Sequence, residues 1–419
     1  VAGRYDWTSG TPPRLDEHSA AKHRVMRRYV ENYIQILCQD PHRDRMRLVV
    51  VDGFCGGGVY QDEAGILQPG SPLILREALQ CGRARLHTRR AEMGMRRPFD
   101  FEATLILNDI DPDAIAMLHE QLRSAPDRGW TPDTQVFTLP FEQLARQLIE
   151  QYRGRRGSPR ILFVLDQYGL SDASLPVMRE LFAAFPKAEI VLTFAIDTLV
   201  NFASDNMLER YEKMLAKMGF DDIVSAKRLA RLKAEDDGAK HLIQTVILRE
   251  VFPQTGAAFA TPFFIIPKQS RRGYWLVHLA NNVRANDEMK SLHWQERNHF
   301  MHFGAEGLNI LAFDPLRLES AQTTFDFGDF ARDRTRRALQ EDLLRRVHDA
   351  HGQGISVGAL LRSVANETPA TGTMVREVLF GLDRDRELDV RSRTGRSRKN
   401  VERLHLDDEV HPRRQFILL

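Results

Sequence analysis

The sequence predicts an α/β chain: a doubly wound parallel sheet with helices on both faces, an antiparallel closing hairpin, and a smaller helical domain after it. Three observations carry this expectation. Short apolar runs alternate with segments of helical periodicity from residue 20 to about 195, the pattern of βα units that stack into a parallel sheet. The run 48–52 (Leu-Val-Val-Val-Asp) passes at once into Gly-Phe-Cys-Gly-Gly-Gly, which suits the crevice at the carboxyl end of a first strand. Two late apolar runs, 259–267 and 274–280, flank a basic, glycine-containing turn at 268–273 and read as a hairpin.

Taken in order, residues 1–18 are polar, carry Pro12 and Pro13, and read as a loosely packed leader. From Ala20 to Cys38, Val25, Met26, Tyr29, Val30, Tyr33, Ile34 and Leu37 recur at three- and four-residue steps, predicting an amphipathic helix. Ser71 as N-cap and Pro72 in the first turn predict a helix to about Gln80, and 82–98 reads as a basic loop. Strands are expected at 105–109, 134–139, 161–166 and 188–194, with helices from Pro112 to Leu122 and over 141–152 and 175–185. From about Phe330 three short helices, 338–350, 356–366 and 371–382, precede an arginine-rich stretch at 384–403. That order predicts a winged helix-turn-helix, whose third helix and wing meet nucleic acid; the alternative is a small dimerisation or lid domain. The expected boundaries are 1–19 for the leader, 20–303 for the sheet domain, 304–330 for a connector and 331–419 for the winged helix.

With 419 residues, 42% hydrophobic and 28% charged, the chain reads as a soluble protein of two or three domains. No stretch approaches a membrane span and no signal-peptide pattern opens it, so the expected location is the cytosol. Cys38, Cys55 and Cys81 form no Cys-x-x-Cys pair, which argues against a disulfide framework or a structural zinc site; no metal is expected. Net charge is only +2, but it is uneven. Arg83, Arg85, Arg89, Arg90, Arg96 and Arg97 face a single acid, Glu92; Arg391, Arg393, Arg396, Arg398, Lys399 and Arg403 face Glu402 alone. Such patches suit a phosphate backbone, or are solvated loops.

The glycine loop carries the chemistry. Glycine lets a backbone approach a ligand and take positive φ. The loop lacks the Gly-x-Gly-x-x-Gly that wraps a pyrophosphate and the Gly-Lys-Ser/Thr that holds a triphosphate. Asp52, Phe54, Gly56 and Gly58 instead give Asp-x-Phe-x-Gly-x-Gly, which resembles the first motif of S-adenosylmethionine-dependent methyltransferases, in the version common among enzymes acting on nucleic-acid bases. Asp109, at the end of the second strand, is placed to accept the ribose hydroxyls, with Ile110 beside it; Asp111 is its rival, and either is equally a helix N-cap. Phe141 is placed to stack on adenine. Asp166-Gln-Tyr168-Gly169 ends the fourth strand: a carboxylate accepting an amine's hydrogens and an aromatic face against a base are what exocyclic amine methylation needs. DNA amino-methyltransferases usually carry Asp-Pro-Pro-Tyr here; this chain keeps the aspartate, lacks both prolines and has its aromatic one place early. The alternative is Asp166 as a cap and Tyr168 in the core. Cytosine C5 chemistry needs a cysteine nucleophile, and no cysteine sits in this loop.

Together these pieces resemble the three-Cys-motif partner proteins, a methyltransferase-like family named for a gene often found beside theirs. The resemblance rests on Lys22 and Tyr29, Asp52 to Gly58, Gly70-Ser71-Pro72, Asn108 to Asp111, Asp166 to Gly169, and Met289-Lys290 with Trp294, spread over most of 20–300. Gln167 and Gly57 stand where the family usually has proline. The resemblance implies a Rossmann-like class I methyltransferase fold, S-adenosylmethionine as cofactor and a partner protein encoded by a neighbouring gene; it does not supply a substrate. The expectation is a methyltransferase acting on DNA or RNA, with Asp52, Gly53, Phe54, Gly56, Gly58, Asp109, Ile110 and Phe141 at the cofactor and Asp166 and Tyr168 at the target. Two other readings stay open: a catalytically inactive nucleic-acid-binding partner protein, and a methyltransferase of a protein or small molecule.

Overall fold

The structure, a computed structural model, describes residues 5–15, 17–95, 97–126, 129–154, 159–167, 170–234, 240–265, 274–296, 300–303, 324–325, 329–350, 354–396 and 404–413. The chain forms two compact units, Val1–Asn281 and Asn282–Leu419.

In the first unit the strands are β1 (Arg45–Asp52), β2 (Val59–Gln61), β3 (Leu67–Pro69), β4 (Asp100–Asn108), β5 (Asp133–Phe137), β6 (Arg160–Leu165), β7 (Glu189–Phe194), β8 (Phe259–Ile265) and β9 (Tyr274–Ala280). The main sheet of this unit runs β5-β4-β1-β6-β7-β9-β8. Neighbours from β5 to β7 are parallel, and β9 is antiparallel to both β7 and β8. This is the class I methyltransferase topology. Its strand order reverses at β1, so the crevice opens beyond the carboxyl ends of β1, β4 and β6. Val49, Val50 and Val51 are buried on both faces, as a central parallel strand requires.

The helices of this unit are α1 (Glu17–Leu37), α2 (Ser71–Glu92), α3 (Pro112–Ser124), α4 (Phe141–Tyr152), α5 (Leu175–Ala184) and α6 to α9 (Ile196–Phe202, Leu208–Met218, Ala226–Ala234, Lys240–Val246). The last four fill the interval before β8. Strands β1 and β4 start earlier than their apolar runs because charged residues extend the ladder: Arg45 pairs with Asp100 at 3.0 Å and Arg47 with Glu102 at 2.9 Å. Among the described residues no helix is long and apolar enough to cross a membrane.

Three expectations are corrected. The segment expected as a basic loop is the second half of α2, which does not stop at Gln80. Gly82 continues the helix because α1 packs there: a Cβ would lie 2.5 Å from Ile34 Cδ1. The arginines on it are largely spoken for. Arg90 is buried; it donates to the Cys38 and Arg43 carbonyls at 3.3 and 3.2 Å and lies 4.6 Å over the Phe99 ring. Arg85 pairs with Glu31 at 2.6 Å, and Arg83 lies 5.0 Å over the Trp130 ring. Arg89 and Arg97 remain exposed; Arg96 lies outside the described residues. Arg90→Met is therefore expected to cost about 2–3 kcal/mol of folding stability, through lost charged hydrogen bonds and the cation–π contact, as read from a denaturant melt.

The second correction concerns Ser71, which is the first residue of α2; the N-cap is Gly70, with no side-chain cap. The third concerns the leader, which is anchored at two points although Asp6, residues 8–11 and Arg14 are exposed. Trp7 is buried with Val59, Ala114 and Met117, and the chain is tied to β2 by Leu15 N–H donating to the Gln61 carbonyl and Gln61 N–H to that of Pro13, at 2.8 and 2.9 Å.

The second unit holds α10 (Val283–Glu296), α11 (Asp329–His348), α12 (Val357–Val364) and α13 (Gly372–Arg384). Its small antiparallel sheet orders Ile355–Ser356, Glu409–Pro412 and Leu388–Arg391. Ser356 caps α12 and Thr371 caps α13, around a core that includes Leu339, Leu343, Leu360, Val375 and Leu379. Helix, strand, two helices and a two-stranded wing make a winged helix-turn-helix. Met289, Lys290 and Trp294, assigned by resemblance to the sheet domain, lie on α10 in this unit: Lys290 donates to the Ala365 carbonyl at 2.7 Å and Trp294 to that of Pro369 at 2.9 Å. Arg391, Arg393 and Arg396 are exposed at the wing, with Arg391 paired to Asp389; Arg398, Lys399 and Arg403 lie outside the described residues.

Candidate functional site

The glycine loop after β1 is stitched to its neighbours by backbone bonds. Gly53 N–H donates to the Val164 carbonyl at 3.0 Å, Cys55 N–H to that of Asn108 at 2.9 Å and Gly70 N–H to that of Gly58 at 2.8 Å. Asn108 ties three strand ends together: its amide donates to the Gly53 and Leu139 carbonyls at 3.1 and 3.0 Å and accepts from Leu139 N–H at 3.2 Å. Sequence reading left this buried asparagine without a role.

Gly56 and Gly58 take φ of +58° and +79°, which only glycine adopts without strain. On the Cβ side the loop is packed. A Cβ on Gly53 would lie 2.7 Å from Leu165 and 2.9 Å from Phe141, one on Gly57 2.5 Å from the Trp7 ring, and one on Gly58 2.8 Å from Leu118. The glycines thus serve close packing of the chain on itself, with Trp7 and Tyr60 (ring centroids 5.6 Å apart) against the loop. Gly57→Ala is expected to displace Trp7 and cost about 1–3 kcal/mol, seen as increased quenching of tryptophan fluorescence and a lowered melting midpoint.

Asp52 is the anomaly in this packing. It is fully buried, and neither carboxylate oxygen has a hydrogen-bond partner. The Ser71 hydroxyl and Phe54 amide lie close enough to favour the charged form without making full hydrogen bonds. Burial, assisted by the charges of Asp166 and Asp109, raises its pKa to about 7. A buried unpaired acceptor is costly, and such groups mark functional sites.

Asp109 accepts at both oxygens: one takes Gly56 N–H at 2.9 Å and the other Asp111 N–H at 3.0 Å. Its rival Asp111 caps α3, one oxygen accepting Asp113 N–H at 2.9 Å. Ile110 is 49% exposed, an apolar side chain at the crevice. Phe141 is corrected as an open platform for a base: its ring is buried, packed on Gly53 and at 5.5 Å from the half-buried Phe54 ring.

Asp166 is ion-paired. Both its oxygens accept from the buried Lys22 ammonium, at 2.5 and 2.6 Å. Although burial works the other way, this partner and its hydrogen bonds hold the Asp166 carboxyl below its usual range. His23, the next residue on α1, is nearly buried, and desolvation together with Lys22 pushes its pKa down to about 4, against the pull of Asp166. Its ring faces Tyr60 at 6.5 Å. This is a neutral imidazole beside the carboxylate predicted to hold the target. Nothing local marks His23 in the sequence; the pairing spans some 140 residues. Gln167 is buried and bridges the loop to β7, accepting Ala173 N–H at 3.0 Å and reaching the Thr193 carbonyl at 3.5 Å. Tyr168 lies outside the described residues.

A family model described as a GMT-like wHTH domain matches residues 312–395. No curated protein matches the chain at a significant level. Among solved structures, the chain is similar to human methyltransferase-like protein 13 in complex with SAH, at 11% identity over 64% of this chain and 83% of that one, with a TM-score of 0.28. A DUF574 family protein from Streptomyces avermitilis is 10% identical over 61% and 83% of the two chains, with a TM-score of 0.26. The cyclopropane synthase MmaA2 from Mycobacterium tuberculosis is 11% identical over 63% and 68%, with a TM-score of 0.23. The methyltransferase topology stands on the strand order itself, independently of these likenesses.

Proposed function

We propose that the chain is a cytosolic S-adenosylmethionine-dependent methyltransferase acting on nucleic acid, with an exocyclic base amine as the target. The observation that carries this reading is Asp52, a buried carboxylate without a partner at the crevice end of the central strand. A ligand bearing an ammonium group there satisfies both its charge and its empty acceptors. In this reading Asp52 takes the amino group, Asp109 at the end of β4 takes ribose hydroxyls, and the exposed Ile110 gives the adenine an apolar face. The three-Cys-motif resemblance supports the same cofactor and a partner protein encoded nearby.

When bound, S-adenosylmethionine supplies an electrophilic methyl group. The chain's part is positional. Lys22 holds Asp166 ionised and fixed, so that its carboxylate accepts the hydrogens of a target amine and orients the nitrogen lone pair. His23, neutral above about pH 4, adds no second positive charge beside Asp166, and the proton that the nitrogen sheds on methylation passes to solvent.

The test is tritiated methyl transfer from labelled cofactor into separate DNA, RNA and protein fractions. Label in a nucleic-acid fraction, lost in Asp166→Asn, is the expected result. Label in the protein fraction supports the protein-methyltransferase reading, and cofactor binding with no transfer to any fraction supports the inactive nucleic-acid-binding one.

A further inference from the structure

At the opposite edge of the same sheet, beyond the amino ends of β1, β6 and β7, lies a cleft of about 720 Å³ that the methyl-transfer chemistry does not use. Arg43, Arg45, Arg47, Arg160 and Lys187 line it, and no acidic residue does. Arg45 and Arg47 are balanced by Asp100 and Glu102 on β4. The other three cations form no ion pair among the described residues: Arg43 donates to the Leu37 carbonyl, at 2.9 Å, and neither Arg160 nor Lys187 lies within salt-bridge distance of a described carboxylate. The register places Arg160 beside Leu48, next to Arg47, and Lys187 precedes β7, the strand after β6. Strands about 4.8 Å apart spread these charges in a row of roughly 10 Å, long enough for more than one phosphate. Between them Ile161 and the buried Phe185 form an apolar floor.

We infer that this cleft is a phosphate-binding exosite that takes the backbone of a nucleic-acid strand. Cations converging on one concavity favour a polyanion, and guanidinium forks match phosphate oxygens. A row of charges rather than one pocketed pair favours a strand over a single phosphate group. The inference names the substrate class of the proposed enzyme, yet the site would hold its ligand whether or not methyl transfer occurs.

The test is fluorescence anisotropy of a labelled single-stranded oligonucleotide with the full chain across a salt series. Arg160→Glu/Lys187→Glu is compared with an equal charge reversal at exposed positions elsewhere, Arg146→Glu/Lys217→Glu. Neither pair carries an ion pair, so both variants should keep the fold, checked by thermal melting and by calorimetric binding of S-adenosylmethionine. The expected result is affinity at least about tenfold weaker in the cleft variant, with the slope of log K against log salt reduced by about 1.4 for two lost phosphate contacts, and little change in the control. Equal weakening in both variants, or none in either, overturns the site. Calorimetric binding of inorganic pyrophosphate, lost in the cleft variant while no oligonucleotide binds, assigns a small phosphorylated ligand and overturns the nucleic-acid assignment. Cofactor binding reports separately on the methyltransferase reading.

Discussion

Asp52→Asn is expected to make the ligand-free protein more stable at pH 8, by roughly 2–4 kcal/mol, while removing cofactor binding. The sign follows from linkage. The Asp52 carboxyl has a pKa of about 7 in the folded chain against the ordinary 3.8. A folded value above the unfolded one means that ionisation opposes folding. The penalty is absent below about pH 3.8, grows as pH rises and levels off above about pH 7. A shift of this size corresponds to about 4 kcal/mol as an upper bound, reduced because the asparagine amide is itself buried without a partner. The variant and the parent should therefore melt together near pH 4 and diverge towards pH 8, in thermal melts without ligand. A residue at a crevice that destabilises its own fold is the stability–function trade-off expected of a binding group. Equal melting at pH 8 would mean that Asp52 already has a partner.

Lys22→Met is expected to cost about 2–4 kcal/mol. Removing one member of a buried ion pair strands the other charge, and here Lys22 is 5% exposed and Asp166 21% at their side chains, so the upper part of the usual range is discounted for solvent near Asp166. The second substitution, Asp166→Asn, should recover more than half of the loss, because the stranded charge is then gone; a double-mutant cycle by urea denaturation measures this coupling. The pH dependence has the opposite sign to that of Asp52. The Asp166 carboxyl is held below 3.8 in the folded chain, so its contribution is present above that pH and is lost as pH falls through the lowered value. Recovery absent from the double variant would show that Lys22 acts by packing alone.

The central sheet was legible because buried parallel strands must be apolar on both faces, and the runs ending at Asp52 and Asp166 show it directly. The glycine loop and the winged helix followed from the same kind of local pattern. What escaped the sequence depends on contacts between distant residues. Gly82 reads as a helix end in isolation, whereas the close approach of Ile34 Cδ1 accounts for a glycine inside a helix. The arginines of 83–90 read as a phosphate patch, but Arg90 is folded inward onto two carbonyls. The leader looked loose because nothing nearby announces that Trp7 seats on Gly57. The β2–β3 hairpin, between glycine loop and α2, is three residues per strand, too short for a period to register. Lys22 and His23 sit on a helix whose amphipathic stripe accounted for its apolar residues and left the polar ones without an address. The asymmetry is physical: periodicity reports which face is buried, not what a buried polar group meets.

The most direct measurement is calorimetry of S-adenosylmethionine binding to the full chain from about pH 5.5 to about pH 8. If Asp52 receives the cationic end of the donor, binding must ionise a carboxyl whose free pKa is about 7. Affinity should then fall by nearly tenfold for each pH unit below that value, with protons released on binding, and both the pH dependence and most of the affinity should vanish in Asp52→Asn. Binding that is independent of pH, or undiminished in Asp52→Asn, would contradict the account.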